Sequence, residues 1–303
     1  MTAVDRPPPV DRAAVPTGSP LARVRGLLPD LSPAERRVAA AVLADPAAVA
    51  GQTIRELARA CDTSEATVVR FCRATGFGGY PQLRLALARE AGRAVSRGEV
   101  GGDIAEDDDL AAIVHTVATT DARAIEDTAA GLDLDVLAAV VDVLVAAPRI
   151  EIYGVGASGL VAVDLEQKLR RIGRRATACP EAHAALVSAA LLGPGDVAVG
   201  ISHTGATVDT IDALALASTS GATTVALTNF PRSPLAQLAD HVLVTAARET
   251  TFRSGATASR IAQLTVVDCV FVAVAQRTYA DTLSALERTR AAVANRRREG
   301  GRP

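Results

Sequence analysis

Asp196-Val197-Ala198-Val199-Gly200-Ile201-Ser202-His203-Thr204-Gly205-Ala206-Thr207 joins a short apolar run to a turn crowded with three hydroxyls. The run, led in by Gly193-Pro194-Gly195, has the length and composition of a buried strand, and Val208 to Ser218 carries apolar residues at helical spacing. Ser202, Thr204 and Thr207 therefore sit where a strand feeds a helix. There the free N–H groups and positive dipole end of the helix favour a negative charge by about 0.3 to 1 kcal/mol. A single hydroxyl would read as a helix cap and a single glycine as an eased turn. Three hydroxyls within six residues read as a phosphate cradle, to which His203 would donate as well.

The strand-turn-helix unit repeats. From Arg149 onward, short apolar strands at about 150–153, 176–179, 196–201, 223–227 and 241–245 alternate with helices at about 159–172, 181–191, 208–219 and 234–238. This pattern predicts a five-stranded parallel sheet with helices on both faces, which binds ligands at the carboxyl ends of its strands. Two longer helices, at about 256–275 and 282–296, close the chain. The first strand ends in Gly154-Val155-Gly156-Ala157-Ser158-Gly159, which satisfies G-x-G-x-x-G. That pattern also fits a dinucleotide fold, with Glu181 as the ribose acid. Two anion loops on one sheet edge suit a smaller ligand better, Ser158 and Gly156 from the first loop joining the hydroxyls of the second around one phosphate. No cofactor is expected.

A length of 303 residues, about twice a typical domain, makes two domains the default. With 49% hydrophobic residues, 3% aromatic and no tryptophan, the composition fits a helix-rich α/β protein and leaves little for aromatic stacking. Cys61, Cys72, Cys179 and Cys269 lie far apart with no CxxC pair, so neither a metal site nor a disulfide is expected. The sequence shows no secretory leader and no uninterrupted apolar run of about 18 residues, so the chain is expected to be cytoplasmic and free of membrane.

Charge divides unevenly. Residues 21–93 carry 11 arginines against seven acids, +4 net, whereas residues 94–303 carry 19 basic and 25 acidic residues, −6 net. The first region is thus the one suited to nucleic acid, although a solvated basic face has the same charge. Proline-rich residues 1–20 read as a disordered tail. Ser32-Pro33 with Glu35 predicts a capped helix start, and Thr53 to Ala60 and Ser64 to Thr75 predict two short helices around the turn Cys61-Asp62-Thr63. That is a helix-turn-helix, whose second helix would enter the major groove. Val68, Phe71 and Cys72 share its core face, leaving Ser64, Glu65, Thr67 and Arg70 as outward candidates for DNA contact, with Arg73 and Thr63 beside them. Residues 94–108, with Gly98, Gly101, Gly102 and acidic residues, read as a linker between a domain at 21–93 and one at 109–292. A basic tail at 293–303 ends the chain.

These motifs carry a family resemblance. Residues from about 109 to 290, through Gly154-x-Gly156-x-Ser158 and Ser202-x-Thr204-Gly205-x-Thr207, resemble the sugar isomerase (SIS) domain. Ser32-x-x-Glu35-Arg36-x-Val38-Ala39, Ser64-x-Ala66-Thr67-Val68-Val69-Arg70-Phe71 and Gly76-Phe77-x-Gly79-Tyr80 resemble the helix-turn-helix of RpiR-type transcriptional regulators. The resemblance implies a phosphosugar effector held by Ser158, Ser202, Thr204 and Thr207, operator DNA on the first domain, and a homodimer or homotetramer built through SIS helices. Thr204 stands where serine is more usual in that loop. Ser259-Arg260-Ile261-Ala262 is similar to a recurring segment of these regulators. An isomerase would need an acid and a base near the sugar, for which Glu181, His183, His203 and Glu249 are available. A basic helix-turn-helix serves no isomerase, so a regulator without catalytic residues is the expectation.

Overall fold

The computed structural model describes residues 19–96, 104–249 and 258–294. The basic run Arg296-Arg297-Arg298, residues 1–18 of the proline-rich tail and 97–103 of the linker lie outside them.

The first domain is helical: α1 (Pro20–Leu27), a 3-10 turn (Leu28–Asp30), α2 (Pro33–Ala44), α3 (Pro46–Gly51), α4 (Ile54–Ala60), α5 (Glu65–Ala74) and α6 (Tyr80–Ser96). Both capping boxes form. Glu35 N–H donates to Ser32 Oγ (3.4 Å) while Glu35 Oε2 accepts from Ser32 N–H (3.0 Å), and Thr53 and Glu56 repeat the exchange at 3.3 and 2.7 Å. α1 starts inside the stretch read as tail, because Ser19 caps it and also donates to Glu90 Oε1 on α6 at 2.8 Å. α3 is an addition to the sequence reading. Asp45 caps it, accepting from Ala48 N–H at 2.8 Å, and Pro46 opens it. Tyr80 donates to the carbonyls of Val49 and Gln52, tying α6 to the end of α3. Val38, Leu57, Val68, Phe71, Leu83 and Leu87 are fully buried between these helices, each contributing about 1.5 to 3 kcal/mol.

The second domain opens with α7 (Leu110–Gly131), capped by Asp109, and α8 (Leu134–Ala146). The winding follows: β1 (Ile150–Tyr153), α9 (Ala157–Arg171), β2 (Ala176–Cys179), α10 (Ala182–Ala189), β3 (Val197–Ile201), α11 (Val208–Thr219), β4 (Thr223–Thr228), α12 (Pro234–Gln237) and β5 (His241–Val244). α13 (Ala258–Arg277) and α14 (Tyr279–Ala294) finish the described chain. The strands form one sheet in the order β2-β1-β3-β4-β5, with every pair parallel. Alternation sends Ile150, Ile152, Val199 and Val225 to one face, against α8, α9 and α13, and Tyr153, Ala198 and Ala226 to the other, against α10 and α11. Two buried layers result, and they leave the carboxyl edge of the sheet for loops.

Among the described residues, α13 is long and apolar enough to cross a bilayer by composition. It packs instead on α7, α8 and α9, and its Asp268 pairs with Lys168 of α9.

Candidate functional site

The order of winding fixes where the two anion loops meet. The chain leaves β1 for β2 on one side and returns to β3 on the other, so β1 and β3 are neighbours, with Tyr153 level with Gly200. The loops that follow them open side by side at this reversal, where doubly wound sheets take their ligands. The first loop is glycine-dependent throughout. A Cβ at Gly154 would lie 2.8 Å from the Ser158 carbonyl oxygen, and one at Gly159 would lie 3.0 Å from that of Gly154. Gly156 caps α9 with φ +59°, and no atom lies within 4 Å of where its Cβ would be. Its backbone therefore faces open space, with no side-chain cap on the first N–H groups of α9. Ser158, in the first turn, is buried.

The second loop is braced from within. Ser202 Oγ lies 3.0 Å from Thr207 Oγ1 and accepts from Gly205 N–H at 3.1 Å, while Thr204 Oγ1 accepts from Ala206 N–H at 3.2 Å. Thr207 occupies the cap position of α11 without making a side-chain cap bond. The cap reading of these hydroxyls thus fails for Thr207, whose oxygen turns to Ser202. Gly205, at φ +62°, packs so tightly that a Cβ would lie 2.0 Å from Ser233 Oγ. His203 sets its ring edge against Phe230, with centroids 5.7 Å apart, and its Nδ1 is buried without a partner. Burial lowers its pKa, and the Glu249 carboxylate pulls weakly the other way. A neutral imidazole results.

The remaining candidates are placed differently. Glu181 is committed to α10, its carboxylate accepting from His183 and Ala184 N–H at 3.0 and 2.9 Å; these bonds hold its pKa down. That is the work of a helix cap. His183 is exposed on α10, and Glu249 accepts from the N–H of Ser259 at 3.0 Å. Burial raises the thiol of Cys179 to about 11 and that of Cys72 to about 12, so both stay protonated. Among the described residues no His, Cys, Asp and Glu cluster fits a metal ion. One participant had no sequence signal: Asn229, at the end of β4, gives its backbone N–H to the His203 carbonyl at 3.0 Å.

In the first domain, Ser64 caps α5 by accepting from Thr67 N–H at 3.2 Å, leaving Thr63 outside the cap. Ser64, Glu65, Arg70 and Arg73 are exposed on one helix. Thr67 is a correction. It is buried, its hydroxyl turned back to Ser64 Oγ and covered by Arg70, from whose Nη2 it accepts at 3.0 Å. Its hydroxyl holds the Arg70 guanidinium in place. Glu65 pairs with Arg55 of α4 at 3.4 Å, and Arg37 donates to the carbonyls of Cys61 and Asp62, bracing the turn where Asp62 has φ +46°.

A short α5 with exposed polar residues at its first turn, behind a braced turn, is a helix-turn-helix. Comparison with known proteins agrees at both ends: residues 20–93 match the helix-turn-helix domain of the rpiR family, and residues 143–273 match the SIS domain. The chain belongs to the RpiR family of transcriptional regulators. An HTH-type transcriptional regulator of Caldanaerobacter subterraneus subsp. tengcongensis is 41% identical over 269 residues, 89% of this chain and 95% of the relative. The HTH-type transcriptional regulator RpiR of Escherichia coli K12 is 34% identical over 223 residues, 74% of this chain and 75% of RpiR. Among solved structures, Vibrio vulnificus NanR complexed with ManNAc-6P is similar, at 33% identity and a TM-score of 0.59, over 92% of this chain and 99% of NanR. This regulator therefore carries a DNA-binding helix-turn-helix domain and an SIS domain of the phosphosugar-binding kind.

Proposed function

We propose that this regulator binds operator DNA through α5 and changes its affinity when a phosphorylated sugar occupies the SIS domain. The observation that carries the reading is the placement of the Gly154–Ser158 and Ser202–Thr207 loops side by side at the reversal of strand order. Ser158, Ser202, Thr204 and Thr207 hold the phosphate, the open backbone at Gly156 lets it approach α9, and neutral His203 supplies a donor. Binding of ManNAc-6P by NanR supports a sugar phosphate as the class of ligand. Ser64, Glu65, Arg70, Arg73 and Thr63 face the groove, and Thr67 stiffens Arg70.

The protein works in the cytoplasm on genes of carbohydrate metabolism, as a homodimer or homotetramer. A dimer sets two recognition helices one DNA turn apart, about 34 Å. A sugar phosphate that alters the angle between subunits alters that spacing. Coupling of about 1 to 3 kcal/mol changes operator affinity about 5- to 150-fold, and DNA changes sugar affinity by the same factor.

The test is a thermal-shift screen against hexose 6-phosphates and N-acetylhexosamine 6-phosphates, followed by duplex binding with each hit. A stabilising sugar phosphate that shifts duplex affinity is the expected result. Turnover of the sugar by the purified protein would replace this reading with that of an isomerase.

A further inference from the structure

Asn229 is buried where three parts of the molecule meet. Its N–H donates to the carbonyl of His203, in the phosphate loop, at 3.0 Å. Its side-chain Oδ1 accepts from Thr245 Oγ1 at 3.1 Å and from Ala247 N–H at 2.7 Å, holding the segment that leads to Arg248 and Glu249. Its own carbonyl oxygen lies against α1 of the DNA-binding domain, 3.3 Å from where a Cβ on Gly26 would stand, with Pro231 beside it. Glycine at position 26 lets the two backbones touch with no side chain between them.

A cavity of about 220 Å³ lies between the domains, bounded by Arg23 and Gly26 of α1, Asp127 and Gly131 of α7, and Asn229 and Pro231. Beside it, Glu90 of α6 accepts from Arg123 of α7 at 3.2 Å, an ion pair that links the two domains, and from Ser19 of its own domain at 2.8 Å. The domains are thus linked by the Arg123–Glu90 pair and touch at the Gly26–Asn229 contact.

We infer that Asn229 is the positioning residue through which the phosphate loop bears on the DNA-binding domain, with Gly26 as its contact. The inference rests on the proposed phosphosugar reading. An anion that draws in the Ser202–Thr207 loop pulls on the His203 carbonyl, which moves Asn229 and the α1 backbone resting on it. Close-packed contacts pass such a displacement on instead of absorbing it.

The experiment uses the full chain and two variants, Gly26→Leu and Gly26→Ala. Leucine suits a helix and wedges Asn229 away, whereas alanine asks its neighbour to yield by a few tenths of an ångström. Affinity for the best-binding hexose or N-acetylhexosamine 6-phosphate is measured by calorimetry. Affinity for a duplex that the wild type selects from a random pool is measured with and without that sugar. The expected result is sugar affinity within about twofold of wild type in both variants, with the sugar-induced change in duplex affinity cut from about 5- to 150-fold to under about twofold in Gly26→Leu. A Gly26→Leu protein that keeps the wild-type response overturns the inference. Should that variant not fold, Gly26→Ala decides: a response reduced at least about twofold supports the inference, and an unchanged one overturns it. A wild type that binds no sugar phosphate, or binds one without a change in duplex affinity, overturns the proposed function and the inference together.

Discussion

Ser202 Oγ and Thr207 Oγ1 stand 3.0 Å apart across the mouth of α11, and neither caps the helix in the ordinary way. The bond between them arranges two hydroxyls beside the uncapped N–H groups of α11, a pairing that an entering phosphate can exchange for stronger, charge-assisted bonds.

Ser202→Ala removes one of those bonds while leaving the loop standing, because Gly205 N–H keeps its second acceptor, the Ser202 carbonyl, at 3.2 Å. Stability should fall by about 1 kcal/mol. Phosphosugar affinity should fall about 10- to 150-fold, matching a charge-assisted bond of about 1.5 to 3 kcal/mol. Calorimetry reads the second effect and urea unfolding the first. Duplex binding by the sugar-free protein should be unchanged.

Gly156 and Gly205 both have positive φ, yet alanine should affect them unequally. At Gly156 the strain of the backbone is the main penalty, about 1 to 3 kcal/mol, since the space beyond is open. At Gly205 the same strain is joined by a Cβ 2.0 Å from Ser233 Oγ. Gly156→Ala should melt a few degrees below wild type and lose sugar affinity. Gly205→Ala should melt far lower, and equal melting temperatures would contradict the packing described.

Most of this was legible in local pattern. The strands, the reversal loops and the capped helix starts follow from spacing and turn chemistry, which act within a few residues. α3 escaped because its start signal, Asp45-Pro46, lies in an alanine-rich stretch with little periodicity. Thr67 was misplaced because a helical wheel gives the phase of a side chain but not what folds over it; the Ser64 cap and the Arg70 guanidinium enclose its hydroxyl. Asn229 left no trace because its partners lie 16 to 26 residues away, and only the sheet brings them together.

The corrected position of Thr67 separates support from contact. Arg70→Ala and Arg73→Ala should each weaken duplex binding and lower the magnitude of its salt slope by about 1 if the residue meets a phosphate. Thr67→Val removes the acceptor of Arg70 without removing a groove contact. It should weaken binding less than Arg70→Ala and select the same sequence from a random pool. Selection of a different sequence by Thr67→Val would falsify its buried role.

The junction between the domains should give the protein an acid-side stability change. Burial pushes the carboxyl of Asp127 up to about 6; Arg123 and Arg25 pull it down, while Glu90 and Glu126 push it further up. Unfolded, this group titrates near 3.9. Between about pH 4 and 6 the folded protein therefore binds more protons at this position than the unfolded chain, and stability contributed here falls as pH rises through that window. The neighbouring Arg25, lowered to about 10 by burial and by Arg248 and Arg123, does not titrate there. Two pKa units at about 1.36 kcal/mol each give about 2 to 3 kcal/mol. Urea unfolding of wild type and Asp127→Asn at about pH 4 and pH 7 isolates the effect, since other groups titrate alike in both. Wild type should lose about 2 to 3 kcal/mol more than the variant on going to pH 7, and parallel profiles would place the titrating carboxylate elsewhere.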